Sequence, residues 1–214
     1  MQMKKTALLA LGLIALTTAF NGCKSDDDET LSKEQADKAM AALQGDMVVS
    51  AKAKVNGVDK TLLESGAPCK FSFTKSGDET MTVSQQDFKV GNMPFSICFK
   101  IEVSLTPIPS LEKSDFSGDG WVRLSGKRGR IGLNGQMPDT AVDTTIDKGD
   151  GSTLTGYVNA ETGEIQMQVS YAMSNVSVDI PRQTIDPARV DNYEAEKEKY
   201  NSDLEEYKKS HGLK

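Results

Sequence analysis

The feature that most constrains the fold is a two-residue alternation of apolar and polar side chains. It is clearest at residues 95–105, where one face carries the apolar side chains Phe95, Ile97, Phe99, Ile101, Val103 and Leu105. The other face carries Ser96, Cys98, Lys100, Glu102 and Ser104. Because successive side chains of a β-strand point to opposite faces of its sheet, this segment predicts a half-buried strand. We expect it to be the central strand of the sheet.

Weaker alternation predicts further strands before and after this segment. They lie at residues 47–55, 69–74, 81–83, 121–125, 130–133, 153–159, 165–173 and 176–180. Asn56-Gly57 is typical of a type I′ hairpin turn, and turns are also predicted at 75–78 and 160–163. Roughly eight to ten short strands without helical patterns between them predict a mainly β fold, either an antiparallel β-barrel or a β-sandwich. Residues 134–151 predict a long exposed loop.

Helices are predicted on both sides of the β domain. Ser32 and Gln35 have the spacing of a capping box, and the helix that they begin should end near Gly45. Asp186-Pro187 has the pattern of an N-cap followed by a first-turn proline. The apolar stripe Val190, Tyr193, Tyr200, Leu204 and Tyr207 is too short for a coiled coil. It can pack on the β domain or face a partner.

The first 23 residues have the pattern of an export signal. Lys4 and Lys5 precede an apolar run at residues 7–19, and Gly22 stands directly before Cys23. The run is shorter than the ~20 apolar residues that a spanning helix needs, so it predicts a cleaved signal peptide. Acyl chains on the thiol and freed amine of Cys23 would anchor the chain, since each buried CH₂ contributes about 0.8 kcal/mol.

Residues 20–29 also resemble a known class of signal. Phe20-Asn21-Gly22-Cys23 resembles the lipobox of bacterial lipoproteins, most closely in its last two positions. The following run of Lys24, Ser25, Asp26, Asp27, Asp28 and Glu29 resembles the acidic export signal of surface lipoproteins of the Bacteroidetes. The layout is similar to small uncharacterised lipoproteins of that phylum, several of which have calycin-like barrels. This resemblance implies lipidation at Cys23 and an outer-membrane, cell-surface location. A solvated, self-repelling tether would have the same acidic composition.

These patterns divide the chain into five segments. We predict a signal peptide at 1–22, an acidic tether at 23–30, an N-terminal helix at 31–45, an antiparallel β domain at 46–182 and a C-terminal helix at 183–214.

Charge and histidine content exclude several classes of function. The chain has 25 basic and 31 acidic side chains, and residues 1–22 contain two of the lysines and no acid. The mature protein is therefore acidic, which disfavours nucleic-acid binding. The single histidine, His211, stands near the C-terminus. Ser-His-Asp, Cys-His and histidine-rich zinc sites therefore lack a central imidazole, and we expect no cofactor.

Cys69 and Cys98 are the thiols that remain after lipidation. Exported proteins keep disulfides, and a bridge here would contribute roughly 3 to 4 kcal/mol by closing a loop of about 30 residues. The alternation places Cys69 on an apolar face and Cys98 on a polar one. We predict a disulfide that needs a bulge, an edge contact or a second sheet of a sandwich, with two buried free thiols as the alternative and a redox pair as a third.

Two neighbouring loops offer weaker sites. Asp115, Ser117 and Asp119 occupy positions 1, 3 and 5 of a calcium-type loop, but Gly126 stands where the bidentate glutamate belongs. A turn leading into the next strand is the alternative. Residues 126–130, Gly-Lys-Arg-Gly-Arg, predict a solvated hairpin turn or, together with Arg123, a contact to an anionic ligand.

Trp121, the only tryptophan, can stack on a sugar ring if it is exposed, or can pack in the core. The sequence favours a non-enzymatic surface lipoprotein whose β domain binds a ligand or partner. One alternative is a hydrolase that uses two carboxylates, for instance Asp115 and Asp119. The other is a structural component of the envelope. An apolar barrel lumen would favour the binding module, and two carboxyl groups facing each other in a cleft would favour the hydrolase.

Overall fold

The computed structural model describes residues 30–89, 93, 95–145, 151–173 and 175–213. The predicted signal peptide, Cys23 and the acidic run at 24–29 lie outside the described residues. The described elements are α1 (Lys33–Leu43), β1 (Gly45–Val55), β2 (Val58–Asp59), β3 (Ala67–Lys75), β4 (Thr80–Phe88), β5 (Ile97–Thr106), a 3₁₀ turn (Ser110–Glu112), β6 (Trp121–Leu133), β7 (Ser152–Asn159), β8 (Glu164–Ser170), β9 (Val176–Thr184), α2 (Ala188–Asp191) and α3 (Tyr193–Ser210).

Eight strands close into an antiparallel barrel. The order is β1-β3-β4-β5-β6-β7-β8-β9, and β9 pairs back with β1, while the short β2 lies beside the end of β1. The prediction of a mainly β fold is confirmed, and of the two predicted architectures the barrel is the one observed. Every strand of a closed barrel has two partners, so the expectation that β5 would be the central strand is wrong.

Apolar side chains fill the inside of the barrel. The predicted inward face of β5 is confirmed, since Ile97, Phe99, Ile101, Val103 and Leu105 are each at most 1% exposed. Phe71, Phe73, Met47 and Met81 from neighbouring strands are less than 2% exposed. An eight-stranded barrel is just wide enough for side chains to fill, which is what these burials indicate. The interior is therefore a packed core.

Helix α1 covers one end of this core. Its capping box is confirmed, because the Gln35 backbone N–H donates to the Ser32 hydroxyl at 3.2 Å and the Ser32 N–H donates to Gln35 Oε1 at 3.4 Å. Ala36, Ala39, Met40 and Leu43 belong to the same buried cluster as the barrel interior. The helix ends before the predicted boundary of 45, because β1 already begins at Gly45.

The predicted C-terminal helix at 183–214 is wrong in its bounds. Strand β9 continues to Thr184, and the helical part is split into α2 and α3. Asn192 stands at the break, where its side chain donates to the Ala188 carbonyl at 2.9 Å. Tyr200 and Leu204 of α3 are buried in the barrel's apolar cluster, so the expected packing of this stripe on the β domain is confirmed. No helix of the described part is long and apolar enough to cross a membrane.

Strand β6 corrects the sequence analysis of residues 121–133. Two strands with a hairpin turn at 126–130 were expected, but β6 is one strand whose register with β5 and β7 shifts near Gly126 and Gly129. A Cβ atom at Gly126 would lie 2.7 Å from the Glu102 carbonyl, and one at Gly129 would lie 2.8 Å from the Phe99 ring. The glycines therefore serve close packing inside a bulged strand instead of a turn.

Candidate functional site

A β-bulge in β4 turns Asp87 to the outside of the barrel. Gln85 points into the interior, so strict alternation would also send residue 87 inward. Instead, the pairing of β4 with β5 shifts between Gln85 and Phe88, and Asp87 has a φ of +48°. The bulge leaves Gln86 and Asp87 outside and returns Phe88 to the core, where it is 4% exposed. Bulges are a common means of redirecting a side chain next to a functional site.

The Asp87 carboxylate is held from the side of β5. The Ser96 hydroxyl donates to Asp87 Oδ1 at 2.8 Å, and the Cys98 sulfur lies 3.8 Å from the same oxygen. Among the described residues, both contacts use Oδ1. Aspartate tolerates left-handed backbone better than most residues, and such a conformation costs of order 1 to 3 kcal/mol. Strain of this kind is concentrated at functional sites.

Asp87 borders a groove between α3 and the outer face of the barrel, which we call the α3 groove. Ser72 of β3, Ser84 of β4 and Lys100 of β5 are directly paired neighbours and form a row across its floor. Cross-strand neighbours on one face are about 5 Å apart, so one small ligand can reach several of them.

The roof of the α3 groove comes from the first turns of α3. Tyr193, Glu194 and Lys197 line this side, and Met137, from the segment after β6, lines the groove as well. The cavity has a volume of about 520 Å³. Small-molecule sites typically have about 300 to 1,000 Å³, so the size of the groove suits one small ligand.

The α3 groove contains one ion pair and several charged side chains that make no ion pair among the described residues. Lys70 Nζ lies 2.7 Å from Asp46 Oδ2, and Asp46 also accepts from the Ser72 hydroxyl. Hydrogen bonds from Lys70 and then Ser72 hold the pKa of Asp46 below its ordinary value. Within the described part of the chain, Lys100 and Asp87 make no ion pair. The groove therefore offers a ligand one ammonium group, that of Lys100, and one carboxylate, that of Asp87.

Tyr193 adds a hydrogen-bond donor to this wall. Burial raises the pKa of Tyr193 to about 12, and the Glu194 and Asp87 carboxylates add to the shift. The phenol is therefore protonated at neutral pH. Its ring also lies 5.8 Å from Lys197 Nζ, in the geometry of a cation–π contact.

Comparison with known proteins assigns this chain to a protein family. Residues 23–212 match the family described as "Domain of unknown function (DUF4903)". The chain belongs to the DUF4903 family. The DUF4903 chain is also similar to a solved structure of a redesigned β-barrel, with 11% identity over 68% of this chain and 96% of that one, and a TM-score of 0.33. No curated protein matches it.

The predicted disulfide of the DUF4903 chain is wrong. Cys69 and Cys98 are both free and buried. Strand β4 lies between the strands that carry them, which separates their backbones by two strand spacings, about 10 Å, whereas a disulfide requires about 7 Å or less. Cys69 also faces the barrel interior, while Cys98 contacts Asp87 outside it. A bulge was expected to bring the two cysteines onto the same face of the sheet. The bulge near them lies in β4, and it redirects Asp87.

Trp121 of the DUF4903 domain is a packing residue. It is 7% exposed and forms an outer apolar cluster with Ile108 and Phe116. The Arg182 guanidinium lies 4.5 Å from the Trp121 ring centroid and 5.2 Å from that of Phe116. Tyr157 stacks on the Phe116 ring at 3.8 Å. These contacts bury most of the indole, which favours the packing alternative, and Trp121 also borders a pocket of about 300 Å³.

The calcium-type loop serves to position the next strand. The Asp115 and Asp119 side chains are exposed, and their backbone carbonyls accept from Arg182 at 3.0 Å and from Asn159 at 3.1 Å. Residues 115–120 therefore form the turn that leads into β6. Among the residues that the structure describes, no group of three or more His, Cys, Asp or Glu side chains could hold a metal ion. Ser117 is exposed as well.

The basic residues at 126–130 do not converge on the α3 groove. Lys127 and Arg130 are exposed on β6. Arg130 Nη1 donates to the Thr140 hydroxyl at 2.9 Å, and the Asp143 N–H donates to the Arg128 carbonyl at 2.8 Å. The described part of the 134–151 loop is thus held against the bulge of β6.

Sequence reasoning missed every residue of the α3 groove. One signal was available at Asp87: after the alternating Met81 and Val83, four polar residues follow in a row, Ser84, Gln85, Gln86 and Asp87. Such an interruption in a strand indicates a bulge. The sequence has no comparable signal for where α3 packs on the sheet, because the apolar stripe of a helix does not specify which strand it contacts.

Proposed function

We propose that this DUF4903 chain is a lipid-anchored protein of the outer-membrane surface. Its barrel would be a non-enzymatic binding module that holds its ligand in the α3 groove. The anchoring half is supported by Gly22-Cys23 after the apolar run, and by the acidic run at 24–29 directly behind it. The family match begins at residue 23, where cleavage would leave the mature N-terminus.

The observation that carries the binding half is the α3 groove itself. It is concave and half-buried, and it is lined by the redirected carboxylate of Asp87 and by Lys100, which makes no ion pair among the described residues. The barrel interior is filled by side chains, which leaves the outer face as the place for a ligand. The nearest thiol, Cys98, is 0% exposed and cannot reach a bound molecule. These features suit recognition and supply no accessible nucleophile of the cysteine type.

Replacing Cys23 by Ala tests the anchor. The signal run is unchanged, so we expect export to continue, whereas the loss of the acyl chains should move the protein from the membrane fraction to the soluble fraction. Cell fractionation and immunoblotting in a Bacteroidetes host would measure this distribution. A Cys23→Ala protein that remains with the membranes would contradict lipid anchoring.

Changing Asp26, Asp27, Asp28 and Glu29 together to Ala separates the export signal from the anchor. The variant should stay in the membrane fraction but become protected from protease added to intact cells. Surface exposure equal to that of the unchanged protein would mean that the acidic run is only a tether.

The binding role can be tested before the ligand is known. A dialysable small-molecule extract of the host culture should raise the melting temperature of the unchanged chain, because a ligand that binds only the folded state stabilises it by mass action. The Asp87→Asn variant should show a smaller rise, and Asp119→Asn, on an exposed loop, should respond like the unchanged chain. If no extract shifts the unchanged chain, the binding module is refuted.

A further inference from the structure

The α3 groove combines open charges of both signs within a small space. Three lysines and three acids line it: Lys70, Lys100, Lys197, Asp46, Asp87 and Glu194. Of these six side chains, only Lys70 and Asp46 form an ion pair within the part of the chain that the structure describes. Half-buried charges are normally paired or well solvated, because removing a charge from water is costly. A ligand that brings one positive and one negative group would pair one of the remaining acids and one of the remaining lysines without adding net charge.

The positions of Asp87 and Lys100 set the distance between those two groups. Asp87 contacts Cys98, and Lys100 lies two residues further along β5 on the same outer face. A strand rises about 3.3 Å per residue, so the backbone of Lys100 lies roughly 7 Å along β5 from that of Cys98, the residue beside Asp87. The long Lys100 side chain spans this gap, so a small ligand can form charge-assisted hydrogen bonds of about 2.8 Å to Asp87 and to Lys100 at once. A ligand whose two charged groups stand on the same or adjacent carbon atoms is compact enough to bind both within the α3 groove.

We propose that the α3 groove binds a free α-amino acid with an apolar side chain. Its ammonium group pairs with Asp87 and its carboxylate with Lys100, while Lys197 from the roof adds a second cation beside the carboxylate. Met137 and the Tyr193 ring are the less polar parts of the lining and receive the ligand's side chain. This inference rests on the binding role proposed above and specifies its ligand.

Isothermal titration of the full-length chain in detergent provides the test. The probes are L-leucine and L-phenylalanine, each compared with its N-acetyl derivative and its amide, which lack one of the two charges. We expect the free amino acids to bind. The derivatives should bind roughly ten- to a hundredfold more weakly, as expected for loss of a hydrogen bond to a charged group.

Two variants assign the charges to residues. Asp87→Asn keeps the size of the side chain and its tolerance for left-handed backbone, so the bulge should persist. In this variant leucine and N-acetylleucine should bind equally weakly, because the ammonium group has lost its partner. In Lys100→Met, leucine and leucinamide should bind equally weakly, because the carboxylate group has lost its partner. Lys52→Met is the matched control, since Lys52 is also a half-buried, outward lysine of a strand and does not line the groove. It should bind leucine unchanged.

The outcomes separate the ligand class from the binding role. If N-acetylleucine or leucinamide binds the unchanged chain as tightly as leucine, the proposal of a doubly charged ligand is overturned. If neither amino acid binds but the culture extract still raises the melting temperature, the amino-acid class is overturned and the binding role stands. If neither the amino acids nor the extract has an effect, both are overturned.

Discussion

Gln85 shows how single residues of this barrel combine polarity with burial. It is 1% exposed inside an apolar interior, where an amide without partners would cost about 1 to 3 kcal/mol. Its Nε2 lies 2.7 Å from the Cys69 sulfur, and the Tyr171 hydroxyl donates to its Oε1. Burial raises the pKa of both the Cys69 thiol and the Tyr171 phenol, so both keep their protons at neutral pH. The three side chains therefore form a neutral, connected network.

Tyr171→Phe should destabilise the protein by about 1 to 3 kcal/mol, because it removes the donor to a buried amide oxygen. Urea unfolding followed by circular dichroism at neutral pH would measure the change in the free energy of unfolding. Tyr157→Phe is the matched control, since its hydroxyl donates to Glu112 at 2.9 Å in a half-buried surface setting where water can replace it. Equal losses for the two variants would contradict the role of the interior network.

At the scale of elements, the two helical ends are attached to the barrel in different ways. Helix α1 places apolar side chains directly over the core, while α3 lies along the outside and makes most of its contacts with β3. Two residues of α3, Tyr200 at 8% and Leu204 at 6% exposure, join the apolar cluster. The α3 groove depends on this attachment, because the same helix supplies the groove's roof.

Leu204→Ala should lower the free energy of unfolding by about 2 kcal/mol. This value is at the lower end of the range for truncating a buried leucine, because α3 is attached at the surface of the barrel. Asn201→Ala, an exposed position of the same helix, should change it by less than about 0.5 kcal/mol. Urea unfolding measures both. A Leu204 variant as stable as the unchanged chain would show that α3 does not hold to the barrel through this side chain, and the roof of the groove would then lack its support.

At the scale of the whole molecule, closure joins two distant parts of the chain. Residues Lys52 to Val55 of β1 pair with Val176 to Asp179 of β9. The outer cluster at Trp121 is tied into the same unit, because Arg182 of β9 lies over the Trp121 ring at the start of β6. Since each strand needs both neighbours, loss of one strand should open the whole barrel.

Unfolding in urea should therefore be one transition. The fluorescence of Trp121, the only tryptophan, reports the outer cluster, whereas far-ultraviolet circular dichroism reports the strands. The two curves should coincide, as they do for a cooperative single domain. A fluorescence change at lower urea than the dichroism change would mean that the cluster opens before the barrel does.

The sequence by itself determined the local features of this protein. Alternation along β5 predicted which side chains are buried, because the two-residue period of a strand is a property of its own backbone. The capping box at Ser32 and the Asn56-Gly57 turn were also predictable, since these motifs involve only a few neighbouring residues. The proposed membrane anchor depends in the same way on a short local pattern ending at Cys23.

Only the tertiary structure decided how the strands are combined. A strand's alternation is the same in an open sandwich and in a closed barrel, so the pairing of β1 with β9 could not be read from it. The separation of Cys69 from Cys98 follows from β4 lying between their strands. The continuity of β6 depends on close packing at Gly126 and Gly129. The α3 groove needs the bulge at Asp87 and the placement of α3 together, and each of these is set by contacts between segments far apart in the chain.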